Sequence, residues 1–266
     1  MDTEFTVSFA DGDDDTLCAA AASAAFARLD ELELLLTRFN DTSDVAVIRG
    51  LKPGDVAVVA RETMDVLAVS AEVCAATNGA FDPTVKERNF SDLVLDVDNL
   101  RVAVKNAGVE LDFGGVGKGY ALDEMADVLR SEQFGLNRWL LDAGTSTLLA
   151  SGGPWPLGVG GAWKARTSLP TVLKLSSGAL SGSGFEIQGA HIFDPRTGQA
   201  AGRWAQSWAR ARSAAVADAL STAALSLSPE ELGTAAAALD AAILVARRQK
   251  PFMDRFRDPL KWYGKP

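Results

Sequence analysis

The sequence has 266 residues, 47% of them hydrophobic, and carries a formal net charge of -9 at pH 7. This amount of apolar material is enough for a substantial core in one large domain or two lobes. The acidic balance argues against a nucleic-acid-binding protein, because the phosphate backbone attracts basic surfaces.

The sequence contains no sign of a membrane span or of a disulfide. It has no apolar run of about 18 residues and no basic segment followed by an apolar one at its start. We therefore expect a cytoplasmic protein, or a periplasmic one if a leader peptide has been removed. Cys18 and Cys74 lie in Ala-rich helical patterns and are expected to be free thiols.

Helices and strands alternate in the first half of the chain. Apolar residues spaced three and four apart predict helices at 16–39 and 61–77, the second ended by Asn78-Gly79. The acidic run 11–15 is interpreted as a solvated turn with Asp at a helix N-terminus, the alternative being a metal loop. Strands are predicted at 3–9, 102–105 and 109–113, the last two around an Asn-Ala-Gly turn, and an amphipathic helix follows a glycine-rich bend.

The second half has the texture of a sheet. Short apolar runs separated by Gly, Pro and Ser predict strands, and all six tryptophans lie here, where they could fill a core. Helices are predicted at 214–227 and 229–240, before a closing strand at 241–247. The mixture of helices and strands predicts an α/β or α+β fold.

Three groups of residues could carry chemistry. The bend "DFGGVGKGYALDE" (112–124) places four glycines and Lys118 before a helix, which suits an anion but also suits a tight turn with a solvated lysine. Asp218, Ser221 and Thr222 share one helical face, where a carboxylate and hydroxyls could hold Mg²⁺ or could form a polar surface stripe. His191 is the single histidine and precedes the turn "DPRTG"; it could be a general base or a structural side chain.

The order of several motifs resembles that of the ApbE family, the FAD:protein FMN transferases. The motifs are "TNGAFDPTV", "LDFGGVGKGYALDEMADVL", "LLDAG", "ALSGSG", "HIFDPRTG" and "VADALSTAAL", and the resemblance covers residues 1 to about 245. It departs at "AGTST" (143–147), where members commonly have AGGD, and at "SGSGFE" (181–186), where SGDY is common.

The resemblance implies a fold and an activity. The fold would be a single ApbE-like (T-fold-like) domain over 1–266, with lobes at about 1–135 and 136–250, a flavin site in the cleft between them and a C-terminal tail at 251–266. The activity would be Mg²⁺-dependent transfer of FMN from FAD to a Ser or Thr hydroxyl of an acceptor flavoprotein, with release of AMP. An FAD pyrophosphatase or a non-catalytic FAD-binding protein is the alternative, and the chain could form oligomers.

The resemblance also implies roles for individual residues. Asp218, Thr222 and the carbonyl of Gly115 match metal ligands, and Asp218 is also counted as catalytic. His191 matches a histidine that would activate the acceptor hydroxyl. The positions that match flavin contacts are Met1, Ala80, Phe81, Asp82, Asp112, Lys118, Phe193 and Ser221.

Overall fold

The computed structural model describes residues 3–10, 14–84, 90–144, 146–159, 171–184, 192–246 and 260–264. Its helices are α1 (Asp15–Leu36), α2 (Asp44–Arg49), α3 (Arg61–Ala76), α4 (Gly117–Arg130), α5 (Ala214–Ala224) and α6 (Pro229–Ala238). Its strands are β1 (Phe5–Phe9), β2 (Val56–Val58), β3 (Leu93–Asp96), β4 (Arg101–Val104), β5 (Trp139–Ala143), β6 (Thr147–Ser151), β7 (Trp155–Val159), β8 (Thr171–Leu175), β9 (Gly178–Gly184), β10 (Gln206–Ala211), β11 (Ala242–Ala246) and β12 (Leu260–Tyr263). The expected mixed α/β fold is confirmed.

A seven-stranded sheet in the order β1-β5-β6-β9-β10-β11-β12 forms the centre of the molecule, and its neighbouring strands pair antiparallel. Helices α4 and α5 cover one face and pack against each other, and α1 lies against α4. The opposite face carries a smaller apolar cluster with Trp155, Trp208 and Trp262. The main core runs through both predicted lobes, and β1 from the first pairs with β5 from the second.

Helix boundaries follow the local capping signals. Asp14 caps α1 by accepting from the backbone N–H groups of Thr16 and Leu17, which confirms that the acidic run places Asp at a helix N-terminus; positions 11–13 of the run lie outside the described residues. Asn78 and Gly79 both adopt positive φ after α3, and the Gly79 N–H returns to the Cys74 carbonyl. Neither cysteine forms a disulfide; Cys18 is buried and Cys74 is half-buried.

The predicted strand at 109–113 is wrong. Leu111 forms an isolated bridge with Thr84, while β4 pairs with β2 on one side and β3 on the other. The Asn-Ala-Gly signal does mark a bend, with Gly108 at φ 90°. However, the segment after Gly108 does not pair with β4. It lies along the loop after α3, where the Asp112 N–H donates to the Pro83 carbonyl.

Candidate functional site

The polar face of α5 points into the molecule. Asp218 is 3% exposed and Ser221 is fully buried, so the interpretation as a solvated polar stripe on a surface helix is wrong. Ser213 caps the helix by accepting from the Val216 N–H, and the helix packs on β6, β9 and β10. Its carboxylate and hydroxyls therefore face the centre of the large sheet.

Both oxygens of the Asp218 carboxylate have partners from other elements. The Gly119 N–H, in the first turn of α4, donates to Oδ2 at 3.1 Å, and the Lys118 ammonium lies 3.7 Å from the same oxygen. The Thr147 hydroxyl donates to Oδ1 at 3.1 Å and the Ser181 hydroxyl at 3.3 Å. The anion at the start of α4 is thus Asp218, which the positive end of the helix stabilises.

Close contact between α4 and α5 depends on Gly119. A Cβ at this position would overlap the Ala214 carbonyl at the start of α5. Asp123, one turn further along α4, accepts from the Ser213 hydroxyl and from the N–H groups of Ala214 and Ala215. Burial raises the pKa of Asp123, although these three hydrogen bonds act in the opposite direction.

The glycine-rich bend contacts the cluster formed by Asp218 and its neighbours Lys118, Thr147, Ser181 and Thr222. The Asp112 carboxylate accepts from the Gly114 N–H, and the Lys118 ammonium donates to the Gly114 carbonyl at 2.6 Å. A Cβ on Gly115 would lie 3.4 Å from the Phe81 ring and 3.5 Å from Thr222 Oγ1, so both side chains border this glycine. The bend thereby brings the predicted flavin and metal positions together.

An arginine and an aromatic ring that sequence reasoning missed lie at the edge of the bend. The Arg38 guanidinium is 3.4 Å from the Asp112 carboxylate and 4.9 Å from the centre of the Phe39 ring. Phe39 is 85% exposed. The apolar spacing predicts Phe39 as the last residue of the helix 16–39, which is wrong: α1 ends at Leu36 and leaves Phe39 outside the helix.

The segment 80–84 contributes a rigid edge. Ala80 and Phe81 are each 4% exposed, and the Phe81 N–H donates to the Thr77 hydroxyl. The Asp82 carboxylate accepts from the Thr84 N–H and hydroxyl, which closes a turn around Pro83. Asp82 is half-buried.

The Asp-Pro-Arg-Thr-Gly turn is held by Arg196. Its guanidinium donates to Asp194 and to Glu231 in the first turn of α6, and the hydrogen bonds to Asp194 raise the pKa of Arg196. The Arg196 side chain also lies against Gly79, next to the 80–84 segment. Phe193 forms an isolated bridge with Ala200 and is 54% exposed. Met1 and His191 lie outside the described residues.

The oxygen atoms of the cluster suit a hard cation. Mg²⁺ prefers oxygen ligands, keeps several waters and is commonly bound through one or two carboxylates plus substrate phosphates. Within the described residues, no three His, Cys, Asp or Glu side chains come together as a metal cluster. The predicted set is compatible with this, because it consists of one carboxylate, a hydroxyl and a backbone carbonyl, and the site already attracts the Lys118 ammonium.

The sequence profile of the ApbE family matches residues 1–90 and 86–245. The chain belongs to the ApbE family. A curated relative, an FAD:protein FMN transferase of Klebsiella pneumoniae, is 30% identical over 115 residues, which are 40% of this chain and 35% of the relative.

Solved ApbE structures share the fold. The flavin transferase ApbE of Vibrio cholerae has a TM-score of 0.80 at 17% identity, over 99% of this chain and 94% of its own. The apo form of the Pseudomonas stutzeri flavinyl transferase ApbE has a TM-score of 0.77 at 22% identity, over 93% and 88%. The ApbE protein of Thermotoga maritima has a TM-score of 0.73 at 24% identity, over 92% and 91%.

The expected family and its fold are therefore confirmed. Among the described residues, no helix has the length and apolar character needed to cross a membrane. The division into lobes at residue 135 and the individual site residues stay predictions.

Proposed function

We propose that this protein transfers FMN from FAD to a Ser or Thr hydroxyl of an acceptor flavoprotein in a Mg²⁺-dependent reaction that releases AMP. The supporting observation is the cluster around Asp218 in a chain of the ApbE family. Of the family-matching positions, Lys118 lies beside the Asp218 carboxylate, the Thr222 hydroxyl donates to the Asp218 backbone carbonyl, and Gly115 borders Thr222. The name of the Klebsiella pneumoniae relative supports the same donor and product.

Charge explains why an acidic protein can hold an anionic donor here. The net charge of -9 repels FAD as a whole. The Lys118 ammonium and the Arg38 guanidinium lie at the bend, each beside a carboxylate, Asp218 and Asp112, and the Lys118 side chain is 21% exposed, so a divalent cation would add the net positive charge. Mg²⁺, when bound, neutralises charge on the phosphate oxygens and so lowers the barrier to pyrophosphate cleavage.

The protein's residues have separate tasks in this reaction. Asp218 and Thr222 provide oxygen ligands, and Lys118 holds the donor phosphates. The acceptor oxygen forms a bond to the FMN phosphorus while the bridging bond to AMP breaks. His191, by resemblance, receives the acceptor proton, and such general-base help contributes about 10² to 10⁴ in rate.

The first test replaces Asp218 with Asn in the full-length protein. The amide keeps the size of the side chain but removes the charge, so we expect AMP release from FAD and FMN transfer to fall by about 10²-fold or more. AMP is measured by chromatography and flavinylated acceptor by mass spectrometry. The matched control is Asp142→Asn, which alters a partly buried carboxylate on β5. The activity of this variant should stay near that of the unaltered protein.

The pattern of products separates the alternatives. AMP that appears without acceptor, at a rate that acceptor does not raise, would favour an FAD pyrophosphatase. FAD recovered intact after incubation with Mg²⁺ and acceptor would favour a non-catalytic FAD-binding protein. Full turnover in Asp218→Asn would show that the metal assignment is wrong.

A further inference from the structure

Buried hydroxyl groups surround Asp218 on the sheet side. Thr147 on β6 and Ser181 on β9 are directly paired across the sheet, fully buried, and 3.0 Å apart at their hydroxyl oxygens. Ser221 Oγ lies 3.2 Å from Ser181 Oγ and 2.8 Å from Ser183 Oγ. The predicted flavin position Ser221 thus shares one network with the predicted metal ligand.

The two oxygens of Asp218 stand in different surroundings. An ionised carboxylate can only accept, so in the two contacts to Oδ1 the hydroxyls of Thr147 and Ser181 are the donors. The Thr147 contact to Oδ1 is the shorter of the two, at 3.1 Å against 3.3 Å. Oδ2 accepts one N–H bond from Gly119 and faces the Lys118 ammonium.

This asymmetry fixes which oxygen can take a cation. Each carboxylate oxygen has about two lone-pair sites. The hydroxyls of Thr147 and Ser181 fill those of Oδ1, while the second site of Oδ2 faces a positive charge at 3.7 Å. The Asp218 carboxylate is held in this orientation, because its hydrogen bonds come from β6, β9 and α4 at once.

We infer that Thr147 is a positioning residue: it reserves Oδ1 of Asp218 for hydrogen bonding, so that the carboxylate offers Oδ2 alone to a divalent cation. This inference rests on the proposed metal site. A single carboxylate oxygen suits Mg²⁺, which demands near-ideal octahedral geometry, whereas Ca²⁺ readily accepts both oxygens of one carboxylate. Thr147 therefore sets the preference for Mg²⁺ over Ca²⁺.

The test replaces Thr147 with Val, which keeps the shape and removes the hydroxyl. We expect weaker Mg²⁺ binding and a rise of about tenfold in the ratio of the Mg²⁺ to the Ca²⁺ dissociation constant, the scale found when partners of metal ligands are removed. Binding is measured by competition with Mn²⁺, whose free form is followed by electron paramagnetic resonance, with and without FAD. FAD without protein serves as the blank.

Two control variants separate positioning from stability. Thr147→Ser restores a hydroxyl and should keep the ratio within about twofold of the unaltered protein. Thr63 is also fully buried and donates to an aspartate, Asp44, at 2.7 Å, but on α3. Thr63→Val therefore removes the same kind of bond and should lower stability without changing either cation affinity.

The outcomes are distinct for the inference and for the site itself. An unchanged ratio in Thr147→Val would overturn the inference while leaving the metal site in place. If Thr147→Val does not fold, Thr147→Ala removes the same hydroxyl with a smaller side chain and should shift the ratio in the same direction; an unchanged ratio there overturns the inference too. Unaltered protein that binds no Mn²⁺ with or without FAD would overturn both the site and the inference.

Discussion

Asp142 is a carboxylate on the side of the large sheet away from α5. It lies opposite Leu148 on β6 and Thr6 on β1, and within the described part of the chain its Oδ1 is buried without a hydrogen-bond partner. Burial raises its pKa above the ordinary value of 3.8. A charge in this position costs stability, because water and donors are both missing on one side.

The replacement of Asp142 with Asn should therefore stabilise the protein at neutral pH. The folded-state pKa is raised, so the folded protein loses stability as pH rises through the range above 3.8, and the loss persists at pH 7. We expect the free energy of unfolding to rise at pH 7 by less than about 1 kcal/mol, because solvent screens the partly exposed carboxylate, and the gain to shrink towards about pH 4. Urea unfolding at both pH values measures it, and an equal gain at both would contradict the electrostatic explanation.

At the residue level, the sequence could predict some site residues and not others. Asp218, Ser221 and Thr222 are found through helical spacing, which fixes their common face without any tertiary information. Thr147 on β6 and Ser181 on β9 lie in strands made mostly of small and apolar side chains, where a single hydroxyl is not a distinctive signal. Their role depends on pairing between β6 and β9 and on contact with α5, 71 positions beyond Thr147.

Among the elements of the site, α4 and the start of α5 come into direct backbone contact at Gly119. Gly119 allows this approach, and its N–H reaches Asp218 across 99 positions of sequence. The signal for it, a glycine inside the pattern of an amphipathic helix, usually lowers helix stability. Here the loss of helix propensity is offset by packing that no larger residue permits.

The replacement of Gly119 with Ala should destabilise the protein, since the methyl group would overlap the Ala214 carbonyl. We expect the free energy of unfolding to fall by about 1–3 kcal/mol, the usual effect of overpacking. Gly233, exposed on α6 with nothing within 4 Å of an added Cβ, is the matched control. Gly233→Ala should instead stabilise by about 0.5–1 kcal/mol, and equal effects of the two substitutions in thermal unfolding would contradict the packing argument.

Element prediction was most accurate where local signals decide. Caps and apolar spacing located α3, α4 and α6 closely, but β2, β3, β6 and β12 were missed. β2 has three residues, so it offers too little alternation to be recognised. Which strands pair is a long-range property, and this is why the predicted hairpin around Gly108 was wrong.

On the scale of the whole molecule, the large sheet is completed by residues from both ends of the chain. β1 forms one edge and β12 the other, where it pairs with β11 from Ile243↔Tyr263 to Ala246↔Leu260. The predicted C-terminal tail at 251–266 thus includes a sheet strand. Trp262 packs on the second apolar cluster and Tyr263 on the main core, so this strand contributes to both faces.

A chain that ends at Pro259 should be less stable and more prone to associate. The removal of β12 exposes the hydrogen-bonding edge of β11 and the side chain of Leu244, which is 1% exposed when β12 is present. We expect the midpoint of thermal unfolding to fall by about 4 °C or more, and light scattering should detect new oligomers at high protein concentration. Trp262→Ala keeps the backbone pairing and should lower the midpoint by less, without association. If the shortened chain kept its midpoint within about 1 °C and its mass, β12 would not be part of the cooperative sheet.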